Sequence, residues 1–290
     1  MRPLFETREA RKARRRAERE AARGAAFARG ETSALRTPEQ GLSTPAIVTA
    51  TIAKIRELSP EIAGDYLDVG AGSGELIDRV MRAFPVKPHA CDYRDDLMTL
   101  GGVRVDVADL NSGPLPYPDC SFHLVTCTEV IEHLENYRFA LREIFRVLRN
   151  GGVCVVSTPN VLNLRSRLRY LLFGFFNMFG LLQIEDERRH STHGHINPVS
   201  YFYLAHALAS CGFTAVTVSV DKRQRRSLFG LVLLWIPIRL FSAWSLRRER
   251  LKFRTADALN LQFAATMSRT DVLLGRTIVV GCRKPLLDSD

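Results

Sequence analysis

A glycine-rich turn that directly follows a short apolar run constrains the fold most. The run is residues 66–69 and the turn is residues 70–74, with the sequence GAGSG. Glycines at the end of a strand let the backbone approach a ligand closely, because they carry no Cβ. The sequence therefore predicts a cofactor site at the carboxyl end of a first β-strand.

The spacing of the glycines narrows the class of ligand. A dinucleotide-binding turn has the pattern Gly-x-Gly-x-x-Gly, whereas here the third glycine comes one residue early and Glu75 occupies its place. No Gly-Lys-Ser/Thr follows, so a Walker phosphate loop is excluded. Asp68 precedes the turn, and a carboxylate at that point repels phosphate and attracts a cation. The pattern favours a cationic cofactor.

Strand-like and helix-like patterns alternate through most of the chain. Helical spacing covers residues 45–58, 76–84, 137–148 and 199–210. Strand-like runs cover residues 66–69, 88–91, 103–107, 122–127, 152–157, 213–220 and 277–282. Such alternation predicts an α/β fold with a doubly wound parallel sheet, because right-handed crossovers need a helix between successive strands.

The charge is distributed unevenly over the 290 residues. Composition, at 46% hydrophobic and 25% charged residues, excludes wholesale disorder, collagen and a multi-span membrane protein. The net charge of +10 divides into +6 for residues 1–36, −6 for 37–159 and +10 for 160–290. We expect anionic partners to meet the two ends and a different ligand to bind the acidic middle.

Residues 1–36 form a basic arm that we expect to be disordered or helical, followed by one domain over residues 37–290. The arm lacks the apolar segment of a secretory signal, and the six cysteines include no Cys-x-x-Cys pair. Both observations predict a cytoplasmic protein with reduced thiols.

Two apolar, aromatic stretches, residues 170–182 and 228–244, interrupt the alternation. They predict insertions at about 161–198 and 222–270, and arginines flank both stretches. The first is too short to cross a bilayer, and the second contains Pro237 and Arg239 near its middle. Basic flanks around apolar centres favour elements that lie in the interface of an anionic membrane, here at its inner face. A buried substrate cap or a dimer contact is the alternative.

The residues around the glycine turn resemble the class I S-adenosylmethionine-dependent methyltransferases. Asp68 to Gly74 is similar to the family's first motif, Asp92 ends the second strand, and Asp109-Leu110 follows the third. Residues 121–125 resemble the fourth-strand motif, although His123 stands where the family usually has Asp. The resemblance implies a Rossmann-like seven-stranded sheet with an antiparallel last strand, and S-adenosylmethionine as cofactor. It implies that the cofactor is bound by Asp68, Gly70, Ala71, Gly72, Gly74, Asp92, Tyr93, Asp109, Leu110 and Thr128.

A metal site is predicted just after the fourth strand. Glu129, Glu132 and His133 have the spacing i, i+3, i+4, which places them on one face of a helical turn. Two carboxylates and an imidazole suit Mg²⁺ or a similar divalent ion. His193 or His195 could add a fourth ligand or a base, and His195 is favoured because the segment after it leads into the next helix. His133 could instead simply pack or form a hydrogen bond.

This set of residues resembles two branches of the family, the ubiquinone-biosynthesis O-methyltransferases and the small-RNA 3′-end 2′-O-methyltransferases. The resemblance implies that the metal activates a hydroxyl and that His195, His193 or His133 removes its proton. A weaker resemblance is to bacterial methyltransferases of cell-surface glycan assembly. We therefore expect O-methylation of a small-molecule or lipid-linked acceptor, such as a polyprenylated catechol or a lipid-linked sugar.

Two alternative functions stay open at this point. RNA 2′-O-methylation is consistent with a pI near 9.6, but the basic residues interleave with long aliphatic runs, which makes nucleic acid the less favoured partner. A non-catalytic methyltransferase fold that serves as a membrane assembly partner is the other alternative. Cofactor binding without turnover would identify it.

Overall fold

A seven-stranded mixed sheet forms the centre of the molecule. The computed structural model describes residues 44–182 and 194–286. The sheet order is β3-β2-β1-β4-β5-β7-β6. Its strands are β1 (Gly64–Val69), β2 (Val86–Asp92), β3 (Val105–Val107), β4 (Phe122–Thr128), β5 (Leu148–Pro159), β6 (Thr214–Val220) and β7 (Thr277–Arg283).

Strands β1 to β5 run parallel to one another, and β7 is antiparallel to both of its neighbours. The Rossmann-like sheet predicted from the sequence, with its antiparallel last strand, is therefore confirmed. The central strands β1 and β4 are buried almost continuously, as expected where helices cover both faces of a parallel sheet.

Helices cover both faces of the sheet and extend beyond its carboxyl edge. They are α1 (Pro45–Leu58), α2 (Glu75–Ala83), α3 (Tyr137–Val147), α4 (Leu164–Phe173), α5 (Tyr201–Ser210), α6 (Leu228–Arg248), α7 (Ala258–Thr266) and α8 (Thr270–Leu274). Helices α1 and α2 pack on one face, and α3 and α5 pack on the other. In α2 the buried residues Leu76, Ile77 and Val80 follow the helical period, which explains why the sequence identified this helix.

The second apolar stretch forms one long helix. Helix α6 runs without interruption through Pro237 and continues as a π-helical turn, Glu249–Phe253. None of the residues of α6 is buried. Within the described residues, the segment Arg225–Phe253 is the one helix with the length and apolar composition needed to cross a membrane. Pro237 therefore does not end the helix, contrary to the usual effect of proline on this pattern.

The first apolar stretch is only partly helical. Helix α4 ends at Gly174, whose φ of 78° caps the helix, and the chain continues irregularly to residue 182. The predicted N-terminal arm and two histidines, His190 and His193, lie outside the described residues. Of the cysteines expected to be buried, Cys120 is exposed and Cys211 is half-buried, and all six are free thiols.

Candidate active site

The glycine turn lies at the carboxyl end of β1 and is shaped by left-handed backbone. Gly70, Gly72 and Gly74 have φ values of 78°, 49° and 83°. A Cβ on Gly70 would lie 2.2 Å from Cγ2 of Val130. Residue 70 must therefore be a glycine, because its backbone is left-handed and because the Val130 side chain packs against it.

Asp68 is buried at the end of β1 and belongs to a short chain of hydrogen bonds. Thr126 donates its hydroxyl to Asp68 Oδ1 at 2.6 Å, and the Tyr66 and Thr126 hydroxyls are 2.8 Å apart. Burial, reinforced by the charge of Asp92, raises the pKa of Asp68 to about 7. A cation bound nearby would favour the ionised carboxylate.

Asp92 ties the second strand to the glycine turn. Its Oδ2 accepts a hydrogen bond from the Gly72 backbone N–H at 2.9 Å, and Oδ1 accepts one from Arg94 at 3.3 Å. Burial raises the pKa of this carboxyl as well. The half-buried Tyr93 follows, and the buried Thr128 ends β4 at the same edge of the sheet.

Asp109 shapes the turn after β3. Its Oδ1 accepts from the Asn111 N–H at 2.9 Å, and its Oδ2 accepts from the Ser112 hydroxyl at 2.6 Å. Leu110 is buried in the core. The structure thus places Asp109 at the expected edge, in a carboxylate-capped turn.

These residues fit S-adenosylmethionine. The glycine turn leaves backbone accessible at the sheet edge, and the buried carboxylates Asp68 and Asp92 have pKa values that burial raises. Such carboxylates gain most from a ligand that brings a positive charge, because the ligand offsets the cost of burying the ionised form. An open cleft of about 640 Å³ lies beside β3 and contains Met98 and Leu100, which contact the turn at Gly74.

A second group of polar side chains lies directly after β4. One ligand atom from each of Glu132, His133 and His195 lies within 4.8 Å of the others. The rings of His133 and His195 meet edge to face, with centroids 4.8 Å apart. The structure therefore brings Glu132 and His133 together with His195, the histidine that the sequence analysis favoured over His193.

Two buried atoms of this group have no hydrogen-bond partner within residues 44–182 and 194–286. They are Glu132 Oε1 and His195 Nδ1. Glu132 Oε2 accepts a hydrogen bond from the Thr158 hydroxyl at 3.1 Å. Burial raises the pKa of Glu132, and burial together with His133 lowers the pKa of His195 to about 4. The arrangement is therefore suited to a bound cation or a polar substrate atom.

Backbone hydrogen bonds hold the His195 segment against the turn that carries Glu132. The Glu132 carbonyl accepts from the N–H groups of Ile196 and Asn197, both at 2.9 Å. His133 Nδ1 donates to the Gly194 carbonyl at 2.8 Å, which leaves Nε2 as the nitrogen with the lone pair. Asn197 Nδ2 donates to the Leu134 carbonyl at 3.1 Å. Residues 194–197 are thus positioned by residues 132–134.

Glu129 is not among the three residues whose ligand atoms lie within 4.8 Å of one another, although its spacing predicted that it would join them. Glu129 has a φ of 58°, and the turn that follows is a 3₁₀ helix of three residues, Ile131–His133. The i, i+3, i+4 rule for an α-helical face therefore does not apply. Instead, Glu129 Oε1 accepts a hydrogen bond from the Ser157 hydroxyl at 3.1 Å, and burial raises the pKa of Glu129 to about 7.

Sequence reasoning missed four residues that support the site. Thr126 and Thr158 hydrogen-bond to Asp68 and Glu132, and the segment with Met178 and Phe179 contacts His195. The two threonines interrupt the apolar runs of β4 and β5 at their carboxyl ends, which was the available signal. Nothing in the sequence connects residues 178 and 179 to His195.

Comparisons with known proteins identify similar methyltransferases. A family model described as a methyltransferase domain matches residues 14–218. A probable S-adenosylmethionine-dependent methyltransferase of Mycolicibacterium smegmatis is 40% identical over 114 residues, which cover 36% of this chain and 42% of that protein. The ubiquinone/menaquinone biosynthesis C-methyltransferase UbiE of Bartonella tribocorum is 33% identical over 108 residues, or 33% of this chain and 42% of that protein. The matched segment thus spans less than half the length of these relatives.

Among solved structures, a SAM-dependent methyltransferase from Archaeoglobus fulgidus has the same fold. Its TM-score is 0.50 at 15% sequence identity, and the alignment covers 82% of this chain and 94% of that one. The family model spans more than half of the chain, and the seven-stranded sheet agrees with the fold that the resemblance implied. The chain therefore belongs to the class I S-adenosylmethionine-dependent methyltransferase family.

Proposed function

We propose that this methyltransferase methylates a hydroxyl oxygen of a hydrophobic, membrane-presented acceptor, such as a polyprenylated catechol or a lipid-linked sugar, at the cytoplasmic face of a membrane. The observation that supports it best is the cluster of the buried Glu132 with the half-buried His133 and His195, in which one atom of Glu132 and one of His195 have no hydrogen-bond partner among the described residues. S-adenosylmethionine supplies an electrophilic methyl group, so the protein has to supply an oriented, activated oxygen.

The group lies next to the predicted cofactor turn. Val130, which packs against Gly70, is two residues before Glu132 in the same 128–134 segment. A hydroxyl bound by Glu132, His133 and His195 would therefore lie close to the end of β1. Proximity of this kind is the main contribution a protein makes to a methyl transfer.

The donor set suits a divalent cation. One carboxylate oxygen and two imidazole nitrogens are ligands that Mg²⁺, Mn²⁺ or Zn²⁺ accept, and a cation would balance the buried Glu132 carboxylate. Held there, the ion would lower the pKa of a coordinated hydroxyl. A ring nitrogen that coordinates the ion cannot also take the proton, so the base is whichever of His195 and His133 does not coordinate the ion.

Metal binding can be tested without activity. Mn²⁺ binding is measured by electron paramagnetic resonance on the wild type and on Glu132→Gln, with Glu135→Gln as a matched control because Glu135 is exposed in the same turn. We expect Glu132→Gln to lose Mn²⁺ binding while its affinity for S-adenosylhomocysteine stays unchanged. Equal Mn²⁺ binding by both variants would contradict the assignment.

The site of methylation is tested with a farnesylated catechol in vesicles and labelled S-adenosylmethionine. We expect the label in a methoxy group, and a turnover that falls in excess EDTA. A carbon-bound methyl group on the ring would overturn the oxygen assignment and align the protein with the C-methyltransferase relatives. Preference for a water-soluble catechol over the farnesylated one would overturn the membrane-presented acceptor.

A further inference from the structure

Helix α6 exposes a large apolar surface that the core does not cover. Phe229 and Val232 are 82% and 83% exposed, and Leu240 is 68% exposed. Both tryptophans of the chain, Trp235 and Trp244, are on this helix and are also exposed. Exposed apolar surface of this extent marks a site of interaction with another molecule or with a membrane.

One side of α6 is attached to the domain. Leu231, Leu234 and Ile238, spaced three and four residues apart, pack against a small cluster formed by Leu164, Leu273 and Leu274. Asn160 connects the same region to the sheet, because its Nδ2 donates to the carbonyls of Val272 and Gly275 at 2.7 and 3.0 Å. The helix is thus held along its flank at the carboxyl edge of β5, where the candidate active site also lies.

The charges around α6 indicate what covers its open faces. Basic residues flank both ends of the helix: Arg225, Arg226, Arg247, Arg248, Arg250, Lys252 and Arg254. The guanidinium groups of Arg239 and Arg248 lie over the rings of Trp235 and Trp244, at 6.0 and 5.7 Å. Apolar faces between cationic ends, with tryptophans near the charges, are complementary to a bilayer with anionic head groups.

The same charges favour a helix that lies flat in the membrane interface rather than a helix that crosses the membrane. A crossing helix would place basic clusters on both sides of the bilayer, against the positive-inside rule, and Arg239 near its centre. It would also have to leave the cluster that holds Leu231, Leu234 and Ile238. A helix in the plane of the interface keeps these contacts and brings both ends to one leaflet.

The end of α4 extends the apolar surface and connects it to His195. Leu171, Leu172 and Phe173 are exposed on α4, and Tyr170 stacks on Phe176 with ring centroids 4.3 Å apart. Arg169 donates to the carbonyls of Phe176 and Phe179. The Phe179 ring contacts His195 with centroids 5.3 Å apart. Residues 170–179 therefore join the exposed apolar surface to the active-site histidine.

We propose that α6 and the end of α4 lie flat in the head-group region of an anionic bilayer, so that the site around His195 faces the membrane surface. Docking itself is independent of the reaction. The part of the proposal in which the acceptor reaches His195 from the bilayer rests on the proposed function.

The two tryptophans provide the measurement, since the chain has no others. Tryptophan emission of the full chain is followed during titration with vesicles of equal phosphatidylglycerol and phosphatidylcholine, and with phosphatidylcholine alone. We expect a blue shift with the anionic vesicles only. In the single-tryptophan variants Trp235→Phe and Trp244→Phe, we expect lipids brominated near the head group to quench more strongly than lipids brominated near the chain end. Strongest quenching of Trp235 by the deep bromines would show a crossing helix and overturn the proposal.

Two pairs of matched variants test the surface. The double variant that combines Arg247→Glu and Arg250→Glu should bind anionic vesicles roughly tenfold or more weakly than the wild type does. The exposed pair Arg82→Glu with Lys87→Glu changes the net charge equally and should leave binding unchanged. Val232→Asp with Leu240→Asp should abolish the blue shift, whereas Met81→Asp, exposed on α2, should not.

Several outcomes would overturn docking through α6. They are absence of binding to anionic vesicles, equal binding by the α6 variants and the wild type, and a concentration-dependent blue shift without lipid in a sedimenting dimer. Equal binding would assign the membrane contact to the N-terminal arm, and the dimer would assign the surface to a second copy of the chain. None of these readouts requires methyl transfer, so a failure of docking is distinguishable from a failure of the proposed reaction.

Discussion

Val130 packs directly against Gly70, with its Cγ2 2.2 Å from the place where a Cβ of residue 70 would lie. This contact joins the cofactor turn at the end of β1 to the segment that carries Glu132 and His133. A larger side chain at residue 70 would therefore displace Val130, which lies two residues before Glu132.

Gly70→Ala should destabilise the protein and weaken cofactor binding. Alanine would have to adopt a φ of 78° and displace Val130, so we expect the free energy of unfolding to fall by about 2 kcal/mol or more. Urea denaturation measures this change. Gly113→Ala is the control, because a Cβ there meets nothing within 4 Å, and it should stay within about 0.5 kcal/mol of the wild type.

Cofactor affinity should depend on pH through Asp68. The folded protein without cofactor keeps a proton on Asp68 up to about pH 7, whereas the unfolded chain loses this proton near the ordinary pKa of an aspartate. The contribution of Asp68 to the free energy of unfolding therefore falls as the pH rises between these two pKa values. A bound cationic cofactor favours the ionised carboxylate of Asp68 instead of the protonated form. We expect affinity for S-adenosylmethionine, measured by calorimetry, to rise roughly tenfold between about pH 6 and pH 8.

Asp68→Asn should bind weakly and show a flat pH profile, since the amide does not titrate. Asp78→Asn, on α2, should keep the wild-type profile. A wild-type profile that is flat over this range would contradict the role of Asp68.

Asn160→Ala should destabilise the carboxyl edge of the sheet. The buried Asn160 side chain donates to two carbonyls and accepts from the Leu162 N–H at 2.9 Å. Its removal leaves these groups without partners, and we expect a loss of about 3 kcal/mol in thermal or chemical unfolding. The exposed Asn150→Ala should have little effect, and an equal loss in both variants would refute the argument.

Asn197→Ala should lower turnover without changing cofactor affinity. Asn197 helps to hold residues 194–197, and hence His195, against the Leu134 carbonyl. We expect kcat to fall several-fold while the Kd for S-adenosylhomocysteine is unchanged. Ser200→Ala is the comparison, because the Ser200 side chain makes no capping hydrogen bond, and it should retain full turnover.

Much of the fold was predictable because its signals are local. The turn at residues 70–74 and the helices α2 and α3 can be predicted from their own residues, because the glycine spacing and the apolar periodicity do not depend on the rest of the chain. The approach of His195 to Glu132 was also suggested by residue type. The position of Glu129 was not predictable from its spacing, since its backbone has a φ of 58° and a three-residue 3₁₀ helix follows it.

The length of α6 could not be predicted from the local sequence for a related reason. Proline usually ends a helix, but Pro237 lies within a helix whose neighbouring residues, Leu234 and Ile238, pack on the domain. Packing of this kind comes from residues far away in the sequence, such as Leu164 and Leu273, and no local pattern contains it.

The position of β7 between β5 and β6 has a consequence for biosynthesis. Because chains are made from the N-terminus, α6 is complete before β7 exists, and β6 has no neighbour to pair with until residues 277–283 have emerged. Leu273 and Leu274, which cover one flank of α6, also emerge after it. Helix α6, with its long exposed apolar surface, therefore leaves the ribosome before part of its folded support exists.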